Sequence, residues 1–145
     1  MLDQVEIEVS DGDIDELGHV NNARFLEYFE RGRIGWYNSI GLFSDASFRG
    51  RLGTVVVSMK INFRRECFAG DRLSVLTAPR TRGRRSYLLY QEIRNDSKAL
   101  VADAEVTNVI MDLERRTTVD LPDGLAKQFE TPAEEEGSNQ VKEKQ

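Results

Sequence analysis

Several residue types are scarce in this chain of 145 residues, and each scarcity argues against a class of protein. The single cysteine, Cys67, allows no disulfide within the chain and suits a reducing compartment. With one cysteine and one histidine, His19, a zinc site is not expected. No apolar run approaches the roughly 20 residues that span a bilayer, and the first residues do not read as a signal peptide. We therefore expect a cytoplasmic protein without a membrane span.

The charge balance is acidic, with 25 acidic and 20 basic residues and a formal charge of −5. This balance argues against a general nucleic-acid binder, although it leaves room for a local basic patch. The length suits one domain with a real core. From Thr131 onward the sequence is almost entirely polar. We predict one domain over residues 1–130 and a disordered polar tail over residues 131–145.

The stretch best suited to chemistry is a polar loop that runs directly into a helix, from Asp11 to Tyr37: DGDIDELGHVNNARFLEYFERGRIGWY. The loop holds carboxylates and the only histidine. Either Asn21 or Asn22 can cap the helix, because an asparagine oxygen accepts from the first unpaired N–H groups. The N–H groups just beyond the cap favour a developing negative charge. A carboxylate and an oxyanion donor are thus expected close together.

The helix is predicted from apolar residues that recur at spacings of three or four, or twice that: Phe25, Phe29, Trp36 and Ile40, with Leu26 and Tyr37 beside them. Gly32 and Gly35 each cost about 1 kcal/mol relative to alanine inside a helix, so we expect another backbone to approach them closely. Gly41 is the expected end of the helix. The spacing of Glu30 and Arg33 favours an ion pair or a capping contact.

The rest of the chain reads as strands. Residues 53–63 alternate, and the pattern predicts one face formed by Val55, Val57, Met59, Ile61 and Phe63. Residues 4–9, 72–81, 86–94 and 100–113 also have strand patterns, and turns separate them. Consecutive strands after one long helix do not fit a βαβ rhythm. They predict an α+β meander packed on the helix.

The loop and helix carry the motif Asp13-x-Asp15-x-x-Gly18-His19-Val20-Asn21-Asn22, then Phe25, then Glu30-x-Gly32-Arg33. This motif resembles the opening of the hotdog-fold acyl-CoA thioesterases of the 4-hydroxybenzoyl-CoA thioesterase class. Later landmarks follow in the same order, so the resemblance covers about residues 4–125. It implies an α+β hotdog fold, in which a curved antiparallel β-sheet wraps a long central helix.

The resemblance also implies a function. The expected reaction is hydrolysis of acyl-CoA to free acid and CoA, with no metal or redox cofactor. The expected assembly is a homodimer or homotetramer with the cleft between subunits. Two rivals stay open: a thioesterase acting on acyl groups carried by acyl carrier protein, and a non-catalytic acyl-CoA binding protein.

By the same resemblance, three residues of the loop and helix start are catalytic candidates. Asp15 attacks the thioester carbonyl or activates a water, and the backbone N–H of Asn22 polarises the carbonyl. His19 orients Asp15, binds substrate or fixes the loop. The simpler alternative is that the loop acids and the asparagine only stabilise turns and the helix cap.

The residues RTRGRR, from Arg80 to Arg85, place four arginines on one predicted hairpin of an acidic protein. Arginine binds phosphate with paired hydrogen bonds. In the resembled thioesterases this region holds the nucleotide phosphates of CoA, which makes Arg82, Arg84 and Arg85 substrate-binding candidates. The alternative is a solvated hairpin tip. The sequence departs from the resemblance at Glu66, where a proline is common, so the exit of the preceding strand is expected to differ.

Overall fold

The structure is a computed structural model, and it describes residues 2–129; the predicted tail lies outside them. Its strands are β1 (Asp3–Glu8), β2 (Leu52–Phe63), β3 (Arg72–Arg82), β4 (Ser86–Asn95), β5 (Leu100–Asp112) and β6 (Thr117–Val119). The helices are α1 (Asn22–Ser39) and α2 (Asp123–Ala126). The strands pair antiparallel in the order β1-β3-β4-β5-β2, and β6 pairs with β5. The predicted α+β fold on one long helix is confirmed, but only β3, β4 and β5 form a meander, because β2 pairs with β5 and not with β3.

The ends of α1 follow from local sequence. Asn21 is the N-cap, and its side-chain oxygen accepts a hydrogen bond of 2.8 Å from the backbone N–H of Ala23. At the other end Gly41 has φ of 73°, a conformation that glycine adopts without strain. The predicted beginning and end of the helix are therefore both confirmed.

Helix α1 packs mainly on β1 and β3, and its two glycines permit the close approach. A Cβ atom on Gly32 would lie 2.5 Å from Cγ1 of Val75 and 2.9 Å from Nε2 of Gln91. One on Gly35 would clash with Val5. The close approach was predicted, but the neighbouring atoms belong to side chains of the sheet rather than to its backbone.

Strand β2 contains a bulge at Val57. Val56 pairs with Asn108 and Ser58 pairs with Thr107, so Val57 is an extra residue in the ladder. Because successive side chains of a strand point to opposite faces, one extra residue exchanges the faces on either side of it.

The bulge makes the predicted face of β2 partly wrong. The residues of β2 that face the helix side are those paired with residues of β5 that are at most 1% exposed: Thr54, Val56, Met59, Ile61 and Phe63. The prediction holds after the bulge and fails before it, where Val55 lies on the other face. Val57 is 57% exposed.

Strand β2 forms one edge of the sheet, and α1 covers its inner face only in part, at the end where Phe25 meets Phe63. The far end of α1 is closed instead by the short C-terminal elements, where Leu125 and Phe129 pack in one cluster with Trp36. An open region therefore remains between α1 and the edge strand.

Within residues 2–129 no helix is long and apolar enough to cross a membrane.

Candidate active site

The loop before α1 has a fixed shape. Ile14 and Val20 form an isolated antiparallel bridge. Between them the N–H of Asp15 donates to the carbonyl of His19 at 3.0 Å, and the N–H of Gly18 donates to the carbonyl of Asp15 at 3.1 Å. Gly18 has φ of 86°, which a residue with a side chain rarely adopts. This turn holds the Asp15 side chain in a defined place beside the helix start.

Asp13 has a structural position. Its Oδ2 accepts a hydrogen bond of 2.7 Å from the hydroxyl of Tyr28 and one of 3.3 Å from the backbone N–H of Ser10, and Arg24 lies 3.7 Å from its Oδ1. Burial alone would raise the pKa of Asp13, but these hydrogen bonds and the charge of Arg24 together hold it below its usual value. Asp13 thus ties the loop to the helix as a carboxylate.

Asp15 has more freedom. Its Oδ1 accepts one hydrogen bond of 2.9 Å, from the backbone N–H of Leu17. No donor bonds its Oδ2 among the described residues. The side chain is half-buried and lines an open cleft of about 660 Å³ with Ile14, Glu16, Leu17 and Asn21. Asp15 therefore has one oxygen held by the loop and the other available to a ligand.

The first residue of α1, Asn22, presents an unused donor. Its backbone N–H has no acceptor in the part of the chain that the structure describes, as expected for the first residue after a cap. Asn22 lines a second cleft, of about 250 Å³, with His19, Phe25, Phe63 and Glu66 among others. Asp15 and Asn22 thus line two neighbouring clefts at the same helix end.

His19 and Glu66 lie at the mouth of the second cleft. Nδ1 of His19 is 3.1 Å from the carbonyl oxygen of Val20, and its Nε2 is 3.9 Å from a carboxylate oxygen of Glu66. Glu66, which stands where the resembled family often has a proline, therefore places a negative charge opposite His19. Sequence reasoning did not find this contact, since 47 residues separate the partners in the sequence.

Cys67 is buried just behind the loop, where its carbonyl accepts from the N–H of Val20 at 2.8 Å. Burial raises the pKa of its thiol to about 12. A thiol in this state is a poor nucleophile. Among residues 2–129 no group of three or more potential metal ligands lies together.

The candidate phosphate-binding arginines surround the turn between β3 and β4. Arg82 is half-buried, and its Nη1 donates to the carbonyl of Gly83 at 3.3 Å. Arg84 and Arg85 are exposed, and their Nε atoms lie 3.2 and 3.0 Å from Oδ1 of Asp120. Exposed pairs of this kind contribute little to stability, so both arginines can exchange Asp120 for another anion.

Within one chain the arginine hairpin lies far from the loop. Ser86, at the hairpin, pairs with Val109 of β5, whereas Phe63, at the second cleft, pairs with Ala102. At about 3.3 Å per residue these two points of β5 are roughly 23 Å apart. The structure therefore brings Asp15, His19 and Asn22 to one end of the sheet and the arginines to the other.

The predicted ion pair between Glu30 and Arg33 is wrong. No bridge between them occurs among the described residues, because Arg33 is buried and Glu30 is exposed. Nη1 of Arg33 instead donates to Oε1 of Gln91 on β4, at 3.1 Å. Spacing along the helix could not reveal this partner, which comes from a distant strand.

A long helix packed on a curved antiparallel sheet, with a carboxylate beside the helix N-terminus, defines the hotdog-fold thioester hydrolases as the class of protein. The chain belongs to the thioesterase-like superfamily, whose family model matches residues 9–129. The fold expected from the sequence motif is confirmed by the solved structures of this class. The match is to the superfamily, and the narrower 4-hydroxybenzoyl-CoA class stays a prediction.

Three similar proteins place the chain within the family. The long-chain acyl-CoA thioesterase FadM of Escherichia coli is 33% identical over 88% of this chain and 96% of its own length. The acyl-acyl carrier protein thioesterase ATL3 of Arabidopsis thaliana is 31% identical over 50% of this chain and 38% of its own length. The solved structure of YbaW, a probable thioesterase from Escherichia coli, superposes with a TM-score of 0.72 and 29% identity, covering 88% of this chain and 98% of that one.

Proposed function

We propose that this thioester hydrolase acts on acyl-CoA, releasing a free carboxylic acid and CoA. The similarity to FadM over nearly the full length of both chains supports the class of substrate. The observation that carries the proposal is the position of Asp15 next to the N-terminus of α1, where the N–H of Asn22 has no acceptor among the described residues.

In the proposed reaction the carbonyl oxygen of the thioester accepts from the N–H of Asn22. The tetrahedral intermediate carries negative charge on this oxygen, and the positive end of the α1 dipole stabilises it. When the intermediate collapses, the bond from carbon to sulfur breaks and the CoA thiolate takes up a proton. His19 lines the same cleft as Asn22, which suits it to bind the substrate or to fix the loop.

Asp15 acts in one of two ways. As a general base, it takes a proton from a water that adds to the carbonyl carbon. As a nucleophile, its Oδ2 adds to that carbon, and water then hydrolyses the resulting anhydride. A single turnover in water enriched in heavy oxygen separates the two routes, because label in the Asp15 carboxylate identifies the nucleophilic one.

The cleft is proposed to be completed by a second copy of the chain. Strand β2 is an edge strand, and Val56, Val57 and Phe63 on it are 41%, 57% and 47% exposed. An exposed apolar edge strand is a surface that proteins normally cover. Two copies joined along β2 by a two-fold axis would run antiparallel, so the Phe63 end of one meets the Leu52 end of the other.

This arrangement gives the arginine hairpin a function. The hairpin lies at the Leu52 end of the sheet, since Leu52 pairs with the last residue of β5 and Ser86 pairs nearby. A two-fold axis at β2 therefore moves the partner's hairpin toward the Asp15 end of the first chain. We propose that the partner's Arg84 and the partner's Arg85 bind the phosphates of CoA, with Arg82 supporting the turn.

The test is a thioesterase assay with thiol detection on the wild type and on Asp15→Asn. The variant keeps the size of the side chain and loses its charge, and we expect kcat to fall by at least about 100-fold. Asp11→Asn removes a charge from the same loop outside the clefts and should change kcat little. A folded Asp15→Asn protein that hydrolyses its best substrate at the parent rate would disprove the catalytic assignment.

The carrier is the second question. The similarity to ATL3 over half of this chain favours acyl carrier protein as a second candidate carrier. Both carriers present the thioester on phosphopantetheine, so the proposed chemistry is the same for each. Comparing kcat/KM for one acyl group on the two carriers decides between them.

A further inference from the structure

A third cleft, of about 530 Å³, lies between α1 and the first half of β2. We call it the Arg33 cleft; its lining includes Arg33, Tyr37, Phe43, Val56 and Asn108. It is distinct from the clefts of Asp15 and Asn22, and neither the motif nor the family similarity assigns it a function. Most of its walls are apolar or neutral; its charged lining residues are the buried Arg33 and the exposed Glu30.

Arg33 is unusual because it is buried without a counterion. Its side chain is 8% exposed, and its hydrogen bond of 3.1 Å goes to the neutral Oε1 of Gln91. No carboxylate lies within 4 Å of it among the described residues, and the exposed Glu30 acts only at longer range. A buried charge is costly unless an opposite charge accompanies it. The site therefore favours an anion.

The guanidinium group has donors left to bind one. It carries five N–H groups, and the structure uses one of them. Nε and Nη2 make no hydrogen bond in the described chain, and the side chain lines the cleft. Two neighbouring donors of a guanidinium match the two oxygens of a carboxylate.

Two other polar residues of the cleft, Tyr37 and Asn108, already have partners. The hydroxyls of Tyr37 and Tyr87 are 2.6 Å apart and share a hydrogen bond. Nδ2 of Asn108 donates to the carbonyl of Val106 at 3.0 Å. A ligand that enters the cleft therefore finds Arg33 as its main free donor. A negatively charged end fits there better than a neutral one, because solvent screens the exposed Glu30 more than it screens the buried Arg33.

The Arg33 cleft lies on the path from the proposed reaction centre. Asn22, Leu26 and Arg33 occupy positions i, i+4 and i+11 of α1, which share one face of a helix. At about 1.5 Å per residue, Arg33 is roughly 16 Å from Asn22. Between them Leu26 is 48% exposed, and the exposed apolar residues of β2 lie across the opening. An extended acyl group held at Asn22 can reach Arg33 along an apolar path.

We propose that the Arg33 cleft binds the far end of the acyl group, and that the preferred substrates are thioesters whose acyl chain ends in a carboxylate. This inference rests on the proposed function, because it takes the thioester to lie at Asn22. Arg33 pairs with the terminal carboxylate, and the apolar residues between hold the chain. The specificity thus depends on the buried guanidinium and on the distance between the two sites.

The first experiment uses the wild type alone. Pairs of acyl-CoA substrates of equal chain length, one ending in a methyl group and one in a carboxylate, are compared over a series of lengths. At the best length we expect kcat/KM to be at least about tenfold higher for the carboxylate-ended substrate, a gain typical of one charge-assisted hydrogen bond. A preference for the methyl-ended member at every length overturns the inference, as does no preference at all.

The second experiment removes the charge. Arg33→Met should abolish the preference, whereas Arg31→Met, at an exposed position of the same helix, should retain it. Replacement of a buried charge by an apolar side chain is often neutral or stabilising, so Arg33→Met should not lower Tm. A large loss of Tm together with no wild-type preference shows that Arg33 pairs with a carboxylate of a second copy instead.

The outcome is separable from that of the proposed function. If the wild type hydrolyses methyl-ended acyl-CoA without favouring the carboxylate, only the present inference fails. If the wild type hydrolyses no thioester, the proposed function fails. Calorimetry with the same pair of acyl-CoA ligands then still decides the inference, because the carboxylate-ended ligand should bind at least about tenfold more tightly to wild type than to Arg33→Met.

Discussion

The hydroxyl of Tyr28 donates a hydrogen bond of 2.7 Å to Oδ2 of Asp13, and this contact separates the two aspartates of the loop. Asp13 is held by Tyr28, by the N–H of Ser10 and by the charge of Arg24. Within residues 2–129 Asp15, two residues later, accepts only from the N–H of Leu17, so one of its oxygens stays available. The first aspartate thus stabilises the loop on the helix, and the second is positioned for chemistry.

The first prediction follows from this contact. Tyr28→Phe removes one hydrogen bond to a buried carboxylate, so the free energy of unfolding should fall by about 1.5–3 kcal/mol at neutral pH. Because the folded-state pKa of Asp13 is lowered below 3.8, the contribution is present above pH 3.8 and lost as pH falls through the folded value. Denaturant unfolding of both proteins over a pH series measures the difference. A difference that stays constant down to pH 2 contradicts the assignment to the Asp13 carboxylate.

Much of the helix and its loop could be predicted because the causes are local. The cap, the terminal glycine and the two interior glycines lie within the helix sequence or beside it. Tyr28 and Arg33 were not predicted to be buried, because neither belongs to the set of apolar residues from which the helix was predicted. Their partners, Asp13 and Gln91, lie 15 and 58 residues away, and only the fold brings them together.

Strand β2 also has features that its local sequence could not predict. Alternation predicts its faces correctly only while every residue is paired, and the bulge at Val57 breaks that condition. Three successive valines, from Val55 to Val57, gave no local signal for which one is extra. The edge position of β2, which supports the proposal of a shared cleft, likewise depends on strand order and not on the pattern of one strand.

The second prediction concerns the contact of α1 with the sheet. Gly32→Ala places a Cβ 2.5 Å from Val75 and 2.9 Å from Gln91, so the sheet must shift or the helix must lift. We expect a net loss of about 1–3 kcal/mol despite the better helix propensity of alanine. Gly12→Ala is the control, because the added Cβ would lie no closer than 4.0 Å to another atom and because Gly12 does not have a positive φ. Equal Tm values for Gly32→Ala and wild type would mean that the helix packs less tightly.

The third prediction concerns the arginine hairpin. Replacing Arg84 and Arg85 together by alanine should raise KM for acyl-CoA and change kcat little, because phosphate contacts stabilise substrate and transition state alike. The effect should shrink for a thioester that lacks the nucleotide. Arg49→Ala removes an exposed arginine outside the hairpin and serves as the control. Equal losses on both kinds of substrate would point away from phosphate binding.

The last prediction tests whether the cleft is shared. In one chain the hairpin and Asp15 lie at opposite ends of the sheet, so the proposal assigns each site an aspartate from one chain and arginines from its partner. Mixing Asp15→Asn with the Arg84→Ala, Arg85→Ala double variant then produces hybrid dimers with one intact site. Refolding equal amounts of the two variants together should yield roughly one intact site in four. Activity is then measured at low substrate concentration, where the raised KM of the arginine variant lowers its rate.

The activity of this mixture should therefore clearly exceed the mean of the two parent proteins, each of which has no intact site. Refolding each parent alone is the control, and sedimentation checks that the mixture contains dimers or tetramers. If the hairpin serves the aspartate of its own chain, every site in every hybrid keeps one defect. The activity of the mixture would then equal the mean of its parents. In that case the hairpin would have to reach Asp15 of its own chain by a movement of about 20 Å, which a packed sheet does not permit.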